Sequence, residues 1–375
     1  MKVATGNLLL AVAALMGLAG CASIGPPLPP SLELPKPPSD LHAARKGGKV
    51  RLAWTIPART TDRQSVRYLG KTRICRSVES ALKQCETPVG EAAPPADFKG
   101  REKSSAKKLT ATFVETLPSA LEREHPTGFA SYAVEVLNTA GRGAGLSNQV
   151  RVPLVPTLPP FSDFSADVTA QGVMITWQCP STSERLREVT KYLFRIYRRS
   201  EAIAGETRIA EIDVAGCVGN PLAEQDKTIT SFLDQTFEWE KTYFYRAAVV
   251  SEVETSGKPT VEVEGDDTPK VKVFAHDVFP PGVPAGLQAV FSGPGHQPFI
   301  DLIWAPVPDA DLAGYNIYRH EDGGAAVKVN SEPVKTPAFR DTQVASGKTY
   351  SYSVSAVDVR GNESGRSEEA AESVP

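Results

Sequence analysis

The sequence predicts an all-β protein built of three tandem repeats of one kind of domain. Proline accounts for 31 of the 375 residues, a high share that disfavours a mainly helical chain because proline interrupts helix interiors. A short segment of alternating apolar and polar residues ends in tryptophan three times, and such alternation is typical of a half-buried strand. The three segments are residues 50–54, 173–177 and 300–304.

Two further sequence features recur after each tryptophan. The first is a predicted strand in which an arginine lies two residues after an isoleucine. The second is a phenylalanine that lies two residues before an acidic residue. In the second and third repeats a tyrosine lies eleven residues after that phenylalanine and begins a strand-like alternation. The arginines are Arg76, Arg198 and Arg319, the acids are Glu115, Asp234 and Asp341, and the tyrosines are Tyr243 and Tyr350.

These recurring residues resemble the fibronectin type III family over about residues 39–375. The resemblance implies that the three tryptophans lie in the cores of immunoglobulin-like sandwiches, and that Tyr243 and Tyr350 form the tyrosine corner known in β-sandwiches. In the first repeat the alignment leaves Ala130 at the corner position. The expected fold is therefore three tandem fibronectin type III-like sandwiches after a signal peptide and a proline-rich stalk.

Proline-rich stretches mark the expected domain boundaries. We expect a signal peptide over 1–20, a lipidated cysteine and proline-rich stalk over 21–38, and domains one, two and three over 39–156, 157–279 and 280–375. A stretch as rich in proline as the stalk predicts an extended, semi-rigid spacer.

Domains one and two are longer than a sandwich of this family, which has about 100 residues. We therefore expect insertions near 77–108 and 118–127 in domain one, and near 181–188 and 215–227 in domain two. Long loops often carry binding functions. The alternative is neutral variation at loop tips.

The N-terminus has the pattern of a bacterial lipoprotein signal. Lys2 precedes an apolar stretch over 8–19 that is too short to span a bilayer. The run Leu-Ala-Gly before Cys21 resembles a lipobox, which implies cleavage before Cys21 and acylation, including palmitate, on this residue. The alternative is an ordinary secretory signal with a chance cysteine. Ala22 follows the cysteine in place of aspartate, and the resemblance to lipoprotein sorting then favours the outer membrane.

Four cysteines remain once Cys21 is assigned to lipid attachment. Disulfides persist in the oxidising compartments that exported proteins enter. We expect Cys75 to pair with Cys85 and Cys179 with Cys217, because each pair stays within one predicted domain. The alternative is four free thiols. A zinc site is not expected, because the chain has no CxxC pair and its histidines are scattered.

Charge is distributed unevenly, although the whole chain carries a net charge of only −3. The net charge is +8 over 39–152, −7 over 157–277 and −5 over 278–375. We interpret a basic cluster in the first insertion as a weak binding surface for anionic lipid or glycan. The alternative is a solvated loop without a partner. The cluster comprises Lys99, Arg101, Lys103, Lys107 and Lys108.

The acidic residues of 252–267 are interpreted as a solvated strand edge that deters strand pairing. A calcium site is the alternative interpretation, since calcium prefers oxygen ligands.

The sequence lacks a G-x-S-x-G elbow, an H-E-x-x-H motif and a P-loop. We therefore expect a non-enzymatic cell-envelope lipoprotein that acts as an interaction or spacer module, without cofactor or metal. The alternative is an accessory subunit of an envelope assembly that docks through its fibronectin type III domains. The expected partners are the membrane, through the lipid anchor, and a protein or an envelope glycan; nucleic acid is not expected.

The lipobox predicts that Cys21→Ser abolishes lipid attachment, because serine lacks the thiol that is acylated. Metabolic labelling with a fatty acid, together with the mass of the processed N-terminus, measures this. Unchanged labelling and unchanged processing of the Cys21→Ser chain would contradict the lipoprotein interpretation.

Overall fold

The computed structural model describes residues 32–78, 80–96, 98, 108–179, 189–214, 229–254, 257, 259–292 and 297–375. The chain divides into two compact units, of which the first ends at Val155 and the second begins at Pro156. The predicted signal peptide and Cys21 lie outside the described residues. Within the described ranges no helix has both the length and the apolar character that a membrane crossing requires.

Domain one contains seven described strands and one short helix. They are β1 His42–Lys46, β2 Lys49–Thr55, β3 Thr72–Val78, β4 Pro88–Ala92, β5 Thr110–Thr116, α1 Ser119–Glu124, β6 Phe129–Val136 and β7 Val150–Pro153. One antiparallel sheet has the order β1-β2-β5 and the other the order β4-β3-β6-β7. The helix α1 occupies the position of the smaller predicted insertion.

Domain two repeats this arrangement with longer strands. They are β8 Ser162–Thr169, β9 Gly172–Gln178, β10 Lys191–Ser200, β11 Thr207–Asp213, β12 Ile229–Asp234, β13 Thr242–Val253, β14 Val261–Asp267 and β15 Val271–Phe274. One sheet has the order β12-β9-β8, and the other has the order β11-β10-β13-β14 with β15 also on β13. Both insertions predicted for domain two, 181–188 and 215–227, fall outside the described residues.

Domain three is the most regular sandwich. Its strands are β16 Gln288–Ser292, β17 Phe299–Ile303, β18 Leu312–Glu321, β19 Val327–Lys328, β20 Ala338–Asp341, β21 Lys348–Asp358 and β22 Ala370–Val374. The sheets have the orders β16-β17-β20 and β19-β18-β21-β22. The predicted fold class, all-β with three tandem sandwiches, is confirmed.

The three repeated tryptophans are core residues, as predicted. Trp54, Trp177 and Trp304 retain 1%, 0% and 6% of their surface exposed. Each follows or belongs to the central strand of a three-stranded sheet, and its side chain packs against residues of the facing sheet. In domain three, for example, the Trp304 ring meets the Tyr315 ring edge-on at 5.1 Å.

A buried carboxylate connects the two sheets of each sandwich. In domain three the Asp341 carboxylate, at the end of β20, accepts hydrogen bonds from Arg319 of β18 at 2.7 Å and from the Tyr352 hydroxyl of β21 at 2.9 Å. Burial, followed by the charge of Asp341, raises the pKa of Tyr352, so its hydroxyl stays protonated and donates. We call this arrangement the sheet clamp.

The sheet clamp recurs in full in domain two and in part in domain one. In domain two Asp234 accepts from Arg198 at 2.7 Å and from Tyr245 at 3.0 Å. In domain one Arg76 pairs with Glu115, but the buried Tyr132 hydroxyl has no hydrogen-bond partner among the described residues, so only the ion pair is present. The clamp explains why the arginine and the acid recur at fixed places in the sequence.

The predicted tyrosine corner is present in domains two and three. The Tyr243 hydroxyl accepts a hydrogen bond from the Glu238 backbone at 3.0 Å, and the Tyr350 hydroxyl accepts one from the Ala345 backbone at 3.1 Å. Each ring also lies against the arginine of the sheet clamp, Arg198 or Arg319. In domain one the corresponding residue is Ala130, which is fully buried and has no hydroxyl to form the corner.

Residues 34–38, which the sequence assigns to the stalk, pair with domain one. The Lys36 N–H donates to the Arg59 carbonyl at 3.0 Å, and the Thr61 N–H donates to the Leu34 carbonyl at 2.9 Å. The prolines of this segment have no N–H to donate. The short pairing therefore uses the carbonyl of Leu34 and the N–H of Lys36. This end of the stalk is therefore part of the surface of domain one.

The position of Trp304 predicts a large loss of stability on truncation. Trp304→Ala should lower the free energy of unfolding of domain three by about 3–5 kcal/mol, because it removes buried apolar surface and leaves a cavity. Denaturant unfolding measures the change. Val327→Ala is the control, since this apolar side chain of the same domain is 57% exposed. An effect of Trp304→Ala no larger than that of the control would contradict the core assignment.

Candidate functional site at the junction of domains two and three

The first insertion of domain one begins as a covalently closed loop. Cys75 and Cys85 form a disulfide, as predicted. The side chain of Gln149 holds the backbone of Leu82 in this loop by two hydrogen bonds, one accepted at 2.9 Å and one donated at 2.7 Å. Two independent constraints thus fix the loop, which makes it a preorganised surface feature.

Of the other predicted site residues, Cys179 and Lys108 lie within the described residues. Cys179 is disulfide-bonded, and Cys217 lies outside the described residues, so their pairing stays a prediction. Of the basic cluster, Lys108 is described and exposed. The remaining members, Lys99, Arg101, Lys103 and Lys107, lie outside the described residues.

The acidic stretch of domain two includes an edge strand of a sheet, in agreement with its interpretation as a strand edge. Strand β14 is at the edge of its sheet. Arginines of neighbouring strands pair with its acids: Arg195 contacts Glu262 at 2.6 Å, and Arg246 contacts both Glu264 and Asp267. These ion pairs compensate the negative charge of the strand.

The strongest convergence of polar groups lies between domains two and three. Here the linker residue Asp277, 4% exposed, meets Arg360 from the turn after β21. The Arg360 guanidinium donates to the Asp277 carboxylate at 3.1 Å and to Glu240 of domain two at 3.3 Å. The side chain of Asn362 donates to the Asp277 carbonyl at 3.2 Å. Domain three therefore forms hydrogen bonds with both the linker and domain two.

Asp358 shapes the turn that presents these groups. Its carboxylate accepts hydrogen bonds from the backbone N–H groups of Arg360 and Asn362, both at 2.8 Å. The Asn362 side chain also donates to the Asp358 carboxylate at 2.8 Å. The short turn therefore has little freedom, and Arg360 is held in reach of Asp277.

Aromatic packing supports the same junction from the side of domain two. Trp239 lies in the loop between β12 and β13, and its ring contacts Phe237 at 4.7 Å and the linker residue Phe279 at 6.2 Å. The next residue, Glu240, has a positive φ of 61°. Its carboxylate lies 3.0 Å from His276 and also accepts from the Asp277 N–H at 3.3 Å.

Carboxylate oxygens of Asp277, Asp311 and Asp358 lie within 4.8 Å of one another. Oxygen ligands of this kind suit a hard cation such as calcium. Arg360 and Asn362 already donate to two of these carboxylates, which makes the arrangement an ion-paired junction. The sequence did not predict this cluster, because its residues come from the linker and from two separate loops.

Comparison with known proteins gives partial matches. No protein family model matches the chain. An amylopullulanase of Thermoanaerobacterium saccharolyticum is 43% identical over 89 residues, and one of Thermoanaerobacterium thermosulfurigenes is 40% identical over 95 residues. The matches cover 24% and 25% of this chain. The chain spans only 6% and 5% of the length of these curated relatives.

Two solved structures also match. The chicken CNTN1 FN1–FN3 domains are 15% identical, with 91% of this chain and 99% of that chain covered and a TM-score of 0.26. A Fn3-like protein from Clostridium thermocellum is 32% identical, with 25% of this chain and 94% of that chain covered and a TM-score of 0.22.

Three observations identify the fold: the order of the strands in the two sheets, the tryptophan buried between the sheets, and the tyrosine corner of domains two and three. The three domains are fibronectin type III-like. In these terms the junction joins the loop between the fifth and sixth strands of the second fibronectin type III-like domain to the turn between the last two strands of the third.

Sequence reasoning missed the junction, although one signal pointed to it. Trp239 is the one tryptophan outside the threefold repeat. A large aromatic side chain without a place in the expected core of a fibronectin type III-like domain indicates a contact elsewhere, and the structure supplies that contact at the linker.

The junction predicts that Arg360→Ala loosens the third fibronectin type III-like domain from the second. The change leaves the buried Asp277 carboxylate without its cationic partner, and should cost about 1–2 kcal/mol because Arg360 itself is partly exposed. Unfolding of the 156–375 fragment measures the loss of stability. Electron-spin distance measurements between labels on the two domains should show a broader distribution.

The matched control is Arg340→Ala, which removes an exposed ion pair with Asp301 on the outer face of the same domain. This control should change stability by less than about 0.5 kcal/mol and leave the distance distribution unchanged. Equal effects of the two variants would show that the junction does not hold the domains together.

Proposed function

We propose that the chain is a lipid-anchored, non-catalytic module of the cell envelope, and that it presents a paired arm of two fibronectin type III-like domains to an envelope partner. The observation that carries the proposal is the junction at Asp277, Arg360 and Asn362. A junction that holds two sandwiches together removes the freedom of the outer one. Such an arm suits spacing or presentation better than a flexible string of domains does.

The N-terminal pattern supports the anchored half of the proposal. The lipobox resemblance at Cys21 attaches the chain to a membrane, and Ala22 directs it to the outer membrane. The short proline-rich segment between Cys21 and domain one keeps that domain within about 40 Å of the lipid. An anchored arm of this kind needs no cofactor and no catalytic group.

Held domains also favour binding energetically. A partner that contacts both outer domains does not have to order them first, so less conformational entropy is lost on association. The partner is a protein or an envelope glycan. An accessory role in a secretion, glycan or surface-structure assembly follows if the partner is one component of such an assembly.

Cross-linking of the full-length chain in its membrane tests the proposal. Three chains are compared: the unchanged protein, the Cys21→Ser protein, and a protein that ends at residue 279 and lacks domain three. The unchanged chain should fractionate with the outer membrane and yield one or more defined cross-linked partners. Cys21→Ser should leave the membrane fraction, whereas removal of domain three should keep the anchor and lose the partner.

Three results would contradict the proposal. Membrane retention of the Cys21→Ser chain contradicts the anchor. An unchanged cross-linking pattern after removal of domain three contradicts the paired arm as the binding element. Turnover of an envelope glycan by the purified chain contradicts a non-catalytic role.

A further inference from the structure

A cleft of about 440 Å³ opens in domain one where residues 36–40 pass the end of β2. Three basic residues line it: Lys36, Arg59 and Lys108. Asp40 is the one carboxylate among its lining residues. The cleft therefore carries an excess of two positive charges.

Backbone pairing brings the three cations together from three separate segments. The Lys36 N–H donates to the Arg59 carbonyl at 3.0 Å, which joins the incoming segment to the loop after β2. The Ile56 N–H donates to the Leu109 carbonyl at 2.8 Å, which places Lys108 beside the same loop. The convergence is thus built into the fold of the domain.

The cations of the cleft are available to a ligand. All three side chains are exposed, and none forms an ion pair with a carboxylate of the described ranges. Asp40 is already engaged, since its carboxylate accepts from the Thr55 N–H at 3.0 Å. Hydrogen bonds from Thr55 lower the pKa of Asp40, so it remains a fixed negative group at the margin.

We propose that this cleft binds the phosphate of an anionic lipid headgroup. Lysine and arginine together are the side chains best suited to phosphate, because they offer charge-assisted donors from several directions. Asp40 disfavours deep insertion of a second anionic group, so a single phosphate at the mouth fits the charge distribution.

The location of the cleft connects it to the membrane, and this step rests on the proposed lipid anchor. Only ten residues lie between Cys21 and Leu32. Even fully extended, the chain from Cys21 to Leu32 spans at most about 40 Å. An anchored chain therefore keeps the cleft close to lipid headgroups at a high effective concentration, so a modest intrinsic affinity is sufficient.

Vesicle binding by the mature chain with Cys21→Ser tests the proposal without the anchor. It should bind vesicles that contain phosphatidylglycerol and should not bind vesicles of phosphatidylcholine alone. The variant Lys36→Gln, Arg59→Gln, Lys108→Gln should bind phosphatidylglycerol vesicles on the order of 100-fold more weakly, since each basic residue near an anionic surface contributes about fivefold.

A second variant with the same loss of charge is the control. Lys49→Gln, Arg51→Gln, Lys83→Gln removes two lysines and one arginine from exposed positions of the same domain outside the cleft. It should weaken binding by less than about fivefold. Both variants should unfold at the temperature of the parent chain.

Soluble glycerol phosphate distinguishes a lipid source of phosphate from a free one. Vesicle binding that glycerol phosphate does not displace supports the membrane surface as the source. Tight binding of glycerol phosphate alone, lost in the cleft variant, overturns the lipid source and assigns the cleft to a soluble phosphate compound.

Two further outcomes overturn the proposal altogether. Equal weakening by the cleft variant and the control variant would mean that diffuse charge drives binding. Absence of binding to both phosphatidylglycerol vesicles and glycerol phosphate would mean that the cleft is not a phosphate site. Because every chain in the assay lacks the anchor, neither outcome depends on whether Cys21 is acylated in the cell.

Discussion

In each sandwich one buried acid near the end of a strand in the three-stranded sheet pairs with an arginine of the facing sheet, and in domains two and three it also accepts from a tyrosine hydroxyl. Asp341 shows why the rest of the domain depends on this contact. A carboxylate that is 3% exposed is costly to bury unless it is paired and hydrogen-bonded. Arg319 and the Tyr352 hydroxyl satisfy it from two different strands. The two sheets must therefore face each other in one register for the acid to be buried at all, and hydrophobic packing around the tryptophan then follows this register.

The second shared element is a turn that contacts the segment preceding the domain, and it is present in domains one and three. In domain one the Asn138 side chain accepts from two backbone N–H groups of its turn and donates to the Leu32 carbonyl at 3.0 Å. In domain three Asp358 builds the same turn, and Asn362 reaches the linker carbonyl of Asp277. One turn design thus receives the preceding segment in both domains. The two domains differ in charge, since acids and Arg360 gather at the turn of domain three, whereas Lys36, Arg59 and Lys108 gather at the cleft of domain one.

This difference is consistent with distinct roles for the two ends of the chain. Complementary charges at the domain two to three junction satisfy each other, so that surface is used internally to hold an arm together. At the cleft of domain one Asp40 is the one carboxylate beside three cations, and hydrogen bonds from Thr55 and then the charge of Lys108 help to lower its pKa, so an excess of positive charge is left for an external anion. Domain one also holds its disulfide loop by Gln149, so its surface is preorganised. Domain one is basic and domains two and three are acidic, which agrees with the proposal that domain one follows the lipid anchor.

The sequence by itself determined the class of fold, the strands that carry Trp54, Trp177 and Trp304, the tyrosine corners and the Cys75–Cys85 disulfide. The strands and the disulfide rest on alternation, a repeat or a short spacing, which are visible along the chain, and the tyrosine corners rest on the resemblance to the fibronectin type III family that the repeat carries. Arg319 and Asp341 were also visible as recurring marks, but their pairing was not, because it depends on how one sheet packs on another. The junction of Asp277 with Arg360 and the cleft of Lys36, Arg59 and Lys108 were decided by the tertiary structure alone. Their residues are far apart in the chain, and the backbone hydrogen bonds and sheet packing that bring them together leave no periodic trace in the sequence.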